Sequence, residues 1–152
     1  MNKIINYILL LFLPLLSGCD YKPVLTKKNY SFSINIIQMD GDQKINSEIS
    51  DNLNYLRGKE IQYDLTISSS KDKNILSKDS KGDPSIFEII INVSYRVTKD
   101  NEILINNTVN KNTTYNNITD KFELENYENS IIDNLSKNIS DKIIFTISEI
   151  HE

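Results

Sequence analysis

The sequence is poor in the residues that most often carry chemistry. Its 152 residues include one cysteine, one histidine, four glycines and no tryptophan. A single cysteine can form no disulfide within the chain, and no glycine-rich phosphate loop is present. His151 is the penultimate residue and has no predicted Ser, Cys or metal-ligand partner. We therefore expect no enzyme, no cofactor and no metal site.

Strong positive charge is also lacking, because 21 acidic residues exceed 17 basic ones and leave a formal net charge of −4. This balance argues against nucleic acid as a partner. Acidic residues are plentiful, so an envelope hydrolase that uses paired carboxylates stays open as a third hypothesis. The acidic residues that can be placed, such as Asp64 and Glu88, lie on the polar sides of predicted strands and favour solvated surface instead.

Long apolar runs are confined to the start of the chain, at residues 4–16. This run would rise only ~20 Å as a helix, against a hydrocarbon core of about 30 Å, so a signal peptide is favoured over a membrane span. Leu16-Ser17-Gly18-Cys19 then matches the lipobox of lipoprotein signal peptidases. We predict a signal peptide at 1–18, cleavage between Gly18 and Cys19, and a mature chain held to a membrane by diacylglycerol and an N-acyl chain on Cys19.

Residues 19–29 include Pro23 and show no periodicity, which predicts an extended tether. Residues 30–152 form one predicted domain. Asp20 follows the lipidated cysteine, where aspartate signals retention at the inner membrane in some enteric bacteria. We expect the outer membrane, and inner-membrane retention stays open.

Alternating apolar residues predict four strands, and spacings of three and four predict two helices. The strands lie at about 30–36, 61–68, 87–97 and 103–115, and the helices at about 45–56, closed by Gly58 at C′, and 121–149. The polar stretch from Ser68 to Pro84 indicates a loop or a long hairpin tip. The order β-α-β-β-β-α predicts an α+β two-layer sandwich, with a four-stranded, mostly antiparallel sheet and both helices on one face.

At this point the chain resembles the LPS-assembly lipoproteins of the LptE type. The resemblance lies in Cys19-Asp20-Tyr21-Lys22-Pro23-Val24-Leu25, in the order of elements, and in Thr114-Tyr115-Asn116 leading into a long last helix. It implies a lipid-anchored plug and assembly partner of the LptD β-barrel, which helps to deliver lipopolysaccharide and catalyses no reaction.

Two surfaces are candidates for contacts. Lys71, Lys73, Lys78 and Lys81 fall within eleven residues and could meet lipopolysaccharide phosphates, or simply keep a loop soluble. The Ser, Thr and Asn faces of the strands could fit the polar lumen of a barrel, or face the periplasm. A different function, binding of a peptide or polymer by strand addition at an exposed edge, also stays open.

Overall fold

The computed structural model describes residues 30–151 of the chain. The predicted signal peptide, Gly18, Cys19, and the tether with Asp20 lie outside these residues. Within the described range, the element order is the predicted β-α-β-β-β-α. None of the helices in this range is long and apolar enough to cross a membrane.

Four strands and two helices make up the domain. Strand β1 spans Phe32–Gly41, helix α1 spans Gln43–Leu53, and a 3-10 turn follows at Asn54–Leu56. Strands β2, β3 and β4 span Ile61–Lys78, Pro84–Lys99 and Glu102–Asn116. Helix α2 spans Lys121–His151.

The strands form one sheet in the order β1-β2-β3-β4. Strand β1 runs parallel to β2, because the crossover through α1 returns the chain to the same end of the sheet. Short turns join β2 to β3 and β3 to β4, and these pairs are antiparallel. The predicted four-stranded, mostly antiparallel α+β two-layer sandwich is therefore confirmed.

The core lies between one face of the sheet and the two helices, as the apolar spacings predict. Three residues of α1 and a stripe along α2 face the alternating apolar residues of the strands. The fully buried members of this core include Ile45, Ile49, Leu65, Ile67, Ile91, Val93, Val97, Ile139, Ile143 and Ile147. Tyr127 and Ile150, at the two ends of the predicted α2 stripe, are 47% and 42% exposed and lie outside the buried core.

Strand β1 stops at Gly41, which pairs with Ser69 of β2. Gly41 has φ +98°, and a Cβ there would overlap the backbone oxygen of Ser69. Only glycine fits so close an approach. Asp42 then caps α1 by accepting hydrogen bonds from the Lys44 and Ile45 amides at 3.0 and 3.1 Å.

Of the two alternatives for the stretch from Ser68 to Pro84, the structure shows the long hairpin and not the loop: β2 continues to Lys78, and only residues 79–83 form the turn. The first helix, predicted over about 45–56 with Gly58 at C′, is shorter as an α-helix. It ends at Leu53, a 3-10 turn continues to Leu56, and extended Arg57 separates that turn from Gly58, whose φ is +78°.

Candidate functional site

The sheet has a polar face turned away from both helices, which we call the outer face. On the second part of β4 this face carries only Asn and Thr, at alternate positions that pair across to the outward side of β3. These residues are Asn106, Thr108, Asn110, Asn112, Thr114 and Asn116. The positions between them include Val109 and Tyr115, which are buried against the helix side. Asn107, Lys111 and Thr113 also lie between them, so the outer face of this part of β4 is uniformly polar and its helix side is apolar only at some positions.

Cross-strand hydrogen bonds tie the outer face together. Asn110 donates to Asn92 Oδ1 at 2.6 Å, and the hydroxyls of Ser94 and Thr108 lie 2.9 Å apart. Asn112 donates to Glu88 at 2.8 Å. These side chains thus satisfy part of one another's hydrogen-bonding capacity. Their remaining donors and acceptors can bind water or a polar partner surface.

The predicted acidic surface residues lie on this same face. Glu88 accepts from Asn112 and, at 3.4 Å, from Asn74, while Asp64 accepts from Asn35 at 2.8 Å. Over residues 30–151, no group of three or more His, Asp or Glu residues is arranged to hold a metal ion.

The four predicted lysines do not form one patch. Lys71 and Lys73 lie on the helix side of β2, since they pair with Ile91 and Ile89 of β3. Lys71 lies 3.4 Å from Asp42, the cap of α1. Partial burial alone would raise the pKa of Asp42, but the amide hydrogen bonds and the charge of Lys71 outweigh it and hold the pKa below its ordinary value.

Lys73 belongs to a small cluster at the start of α2. Its ammonium contacts Glu128 and lies 4.4 Å from the centre of the Phe87 ring. Tyr115 donates its hydroxyl to the same Glu128 carboxylate at 2.7 Å. Burial, together with the Glu128 charge, raises the pKa of Tyr115, so this hydroxyl stays protonated. Lys73 therefore fastens β2 to α2.

Lys78 and Lys81 lie at the tip of the β2–β3 hairpin, and neither makes an ion pair within the described chain. The turn at residues 79–83, which follows Lys78 and contains Lys81, is stabilised by Asp79. Its carboxylate accepts hydrogen bonds from the Lys81 and Asp83 amides at 2.8 and 2.9 Å. These two lysines are the part of the predicted basic segment that is available to an external anion.

Sequence reasoning missed the partners of Lys71 and Lys73, because Asp42 and Glu128 are distant in the chain. It also missed the surroundings of His151, for which no serine partner was expected. Ser31 Oγ lies 2.7 Å from His151 Nε2, and the Tyr63 hydroxyl lies 3.1 Å from Nδ1. The Ser-His contact does form, but the other ring nitrogen meets a tyrosine rather than a carboxylate. Through the contact with Ser31, His151 joins the end of α2 to the first residues of the described domain.

Comparison with known proteins identifies the fold. No protein-family profile and no curated protein matches the sequence. Among solved structures, rare lipoprotein B from Shewanella oneidensis matches with a TM-score of 0.60 at 12% identity, covering 77% of this chain and 96% of that one. Lipoprotein B from Nitrosomonas europaea matches at 0.58 and 14%, covering 83% and 91%. A minor lipoprotein from Acinetobacter baumannii matches at 0.51 and 13%, covering 75% and 91%.

These similarities extend over nearly the whole of each solved chain, while the identities are very low. The shared feature is therefore the architecture rather than any individual residue. The described domain has the α+β fold that these bacterial lipoproteins share.

Proposed function

We propose that this chain is a lipid-anchored envelope lipoprotein of the LptE type, which acts as plug and assembly partner of an LptD-type β-barrel and promotes delivery of lipopolysaccharide. In this proposal Cys19 carries the acyl chains, the domain faces the periplasm at the outer membrane, and no reaction is catalysed. Retention at the inner membrane through Asp20 is the alternative location.

The observation that carries the proposal is the outer face of the sheet. It is broad, built largely of Ser, Thr and Asn, and not covered by either helix. The lumen of a large membrane barrel is polar, so such a face suits it better than an apolar interface would. The fold shared with bacterial lipoproteins and the lipobox at Cys19 support the same placement.

The two ends of the domain also suit an anchored plug. Tyr30 and Phe32, which follow the tether, lie at the end of α2 that holds His151. The hairpin tip with Lys78 and Lys81 lies near the opposite end of α2, whose 31 residues span ~46 Å. The tip would thus point away from the anchored membrane leaflet, toward lipopolysaccharide phosphates in the barrel.

Depletion of the protein tests the proposal. We expect less correctly assembled LptD-type barrel and less surface lipopolysaccharide, and we expect the barrel to co-purify stoichiometrically with the tagged lipoprotein. Replacing Ser68 and Ser70 with Arg places two bulky charges on the outer face, which should weaken co-purification. Replacing Asn134 and Asn138 with Arg, on the exposed side of α2, is the matched control. Unchanged barrel and surface lipopolysaccharide after depletion would refute the assignment.

A second candidate function is binding of an extended peptide or polymer by strand addition. It is favoured by the early end of β1 at Gly41, which leaves the edge of β2 from Ser70 to Lys78 without a neighbouring strand in the described domain. Co-purification of a soluble or peptidoglycan-associated partner, in place of a barrel, would support this function.

A further inference from the structure

A small cavity lies where the start of β1 meets the loop that leads into β2. Its volume is about 280 Å³, and it is lined by residues 33–36 of β1, by Arg57 and Gly58 of the loop, and by Gln62 of β2. This volume is near the lower limit of small-molecule pockets. The cavity therefore suits a single small group rather than a whole lipid or a polymer chain.

The fold itself fixes the walls of this cavity. Leu56, the last residue of the 3-10 turn, is buried in the core directly before Arg57. Beyond Arg57, the Ser33 hydroxyl donates toward the carbonyl oxygens of Lys59 and Ile61, at 3.3 and 3.2 Å. Ser33 is only 4% exposed. The segment that carries Arg57 is thus held against β1 on both sides, which lowers the ordering cost of binding a ligand there.

Arg57 supplies the charge of the cavity. Neither its guanidinium nor the Gln62 amide makes an ion pair or a side-chain hydrogen bond with another residue of the described domain. Asn35, also in the lining, donates to Asp64 at 2.8 Å, but Asp64 is not among the lining residues. The lining thus combines one cation with unpaired amide donors and includes no carboxylate.

These groups match a phosphate better than a carboxylate. A guanidinium binds two oxygens of either anion through parallel N–H bonds. A planar carboxylate then has both oxygens engaged, whereas a tetrahedral phosphate also presents oxygens outside that plane to a second donor such as the Gln62 amide. We propose that this cavity is a phosphate-binding site, in which Arg57 binds the phosphate through charge-assisted hydrogen bonds and Gln62 adds an amide donor.

The position of the cavity indicates two sources for the phosphate. Ser33 is three residues after Tyr30, the first described residue. If Cys19 carries the lipid, as proposed above, the 11 residues from Cys19 to Tyr30 span at most ~40 Å, so phospholipid headgroups of the anchored leaflet are within reach. Free phosphate in the periplasm is the other source. Only the lipid source rests on the proposed anchor, and the site is separate from Lys78 and Lys81 at the hairpin tip.

Calorimetric titration tests the site and separates its two sources. Full-length protein in dodecyl maltoside, a detergent without phosphate, would be titrated with inorganic phosphate. A second titration would use dihexanoyl phosphatidylglycerol, a soluble lipid whose negative charge lies on its phosphate. We expect Arg57→Gln to weaken binding about tenfold or more, because it removes the charge-assisted hydrogen bonds.

Arg96→Gln is the matched control. Arg96 is the other arginine of the chain, is exposed on β3 and makes no ion pair in the described domain, but it does not line the cavity. Loss of the same charge there should leave both affinities nearly unchanged. Gln62→Glu instead places a carboxylate in the cavity at almost constant size and should abolish binding. Circular dichroism would check that all three variants are folded.

Tighter binding of phosphatidylglycerol than of inorganic phosphate identifies the lipid headgroup as the source, whereas equal or tighter binding of inorganic phosphate identifies the soluble anion. The site is overturned if neither probe binds the wild type, if Arg96→Gln weakens binding as much as Arg57→Gln, or if Gln62→Glu binds like the wild type. None of these results depends on a barrel partner, so failure of this site and failure of the proposed function are distinguishable.

Discussion

At the scale of single residues, Gly41 and Asp42 set the geometry of the first half of the domain. Gly41 allows β1 to approach the backbone of Ser69, and Asp42 begins α1 directly afterwards. Asp42 also receives Lys71 from β2, so one side chain caps a helix and pairs with a strand. Two consecutive residues thereby decide where β1 ends and how α1 lies on the sheet.

Gly41→Ala should lower the free energy of unfolding by about 3 kcal/mol, since it combines a positive φ with a clash against the Ser69 backbone. Gly82→Ala is the matched control, because Gly82 has φ +91° but no atom within 4 Å of the position that a Cβ would occupy. Its cost should be about 1 kcal/mol, from backbone conformation alone. Urea denaturation measures both, and equal losses would contradict the packing argument.

Asp42 should make stability depend on pH. Its pKa is lowered in the folded protein, so its charge stabilises the fold above its unfolded value near 3.8, and this contribution is lost as pH falls through the folded pKa. At pH 7, Asp42→Ala should cost about 1 kcal/mol through loss of the cap, and Asp42→Asn, which keeps a cap acceptor, should cost less. Urea denaturation at pH 7 and pH 3 would show the difference between wild type and Asp42→Asn shrinking at low pH. A difference that grows at low pH would contradict this sign.

At the scale of elements, apolar periodicity predicted the order, type and face of every strand and helix. It failed where β2 extends past the end of β1. There the helix-side positions are Lys71 and Lys73 rather than apolar residues, so the alternation that identifies a strand disappears from the sequence. Their carboxylate partners are Asp42, the cap of α1, and Glu128 of α2. A local sequence pattern cannot predict contacts between residues so far apart in the chain. The outer face was foreseeable, because it is the polar half of the same alternation.

The four lysines of the β2–β3 hairpin fall into two pairs: Lys71 and Lys73 make ion pairs within the domain, whereas Lys78 and Lys81 do not. Lys71→Gln with Lys73→Gln should lower the melting temperature, because it removes the Asp42 and Glu128 contacts and leaves two partly buried carboxylates without their cations. Lys78→Gln with Lys81→Gln should leave the melting temperature unchanged, since neither side chain makes an ion pair in the described domain. Thermal unfolding followed by circular dichroism measures both variants.

Binding of purified lipopolysaccharide should show the opposite order. The Lys78/Lys81 variant should bind more weakly, with a modest effect that decreases with salt, because exposed ion pairs contribute about 0.2–1 kcal/mol each. The Lys71/Lys73 variant should bind nearly as well as wild type at a temperature where it is folded. The reverse ranking would show that the helix side, rather than the hairpin tip, receives the anion.

At the scale of the whole molecule, the domain is elongated, with distinct ends. At one end, the contacts of His151 with Ser31 and Tyr63 hold the end of α2 to the starts of β1 and β2. The hairpin tip lies at the other end, beside the start of α2. A lipid on Cys19 would fix one end at a membrane and leave the outer face and the tip accessible. Such an anchor would therefore determine which surfaces can meet a partner.

Cys19→Ser tests the anchor on which this orientation depends. Serine lacks the thiol that accepts diacylglycerol, so the variant should accumulate as unprocessed precursor and incorporate no labelled fatty acid. Two acyl chains or more make membrane attachment stable, at ~0.8 kcal/mol per buried CH₂, whereas the described domain has no membrane-spanning helix to substitute for them. Ser17→Ala is the control, since a small residue before the cleavage position preserves processing and labelling. Normal maturation and acylation of the Cys19→Ser protein would remove the lipid anchor, and with it the fixed orientation of the hairpin tip away from the membrane leaflet.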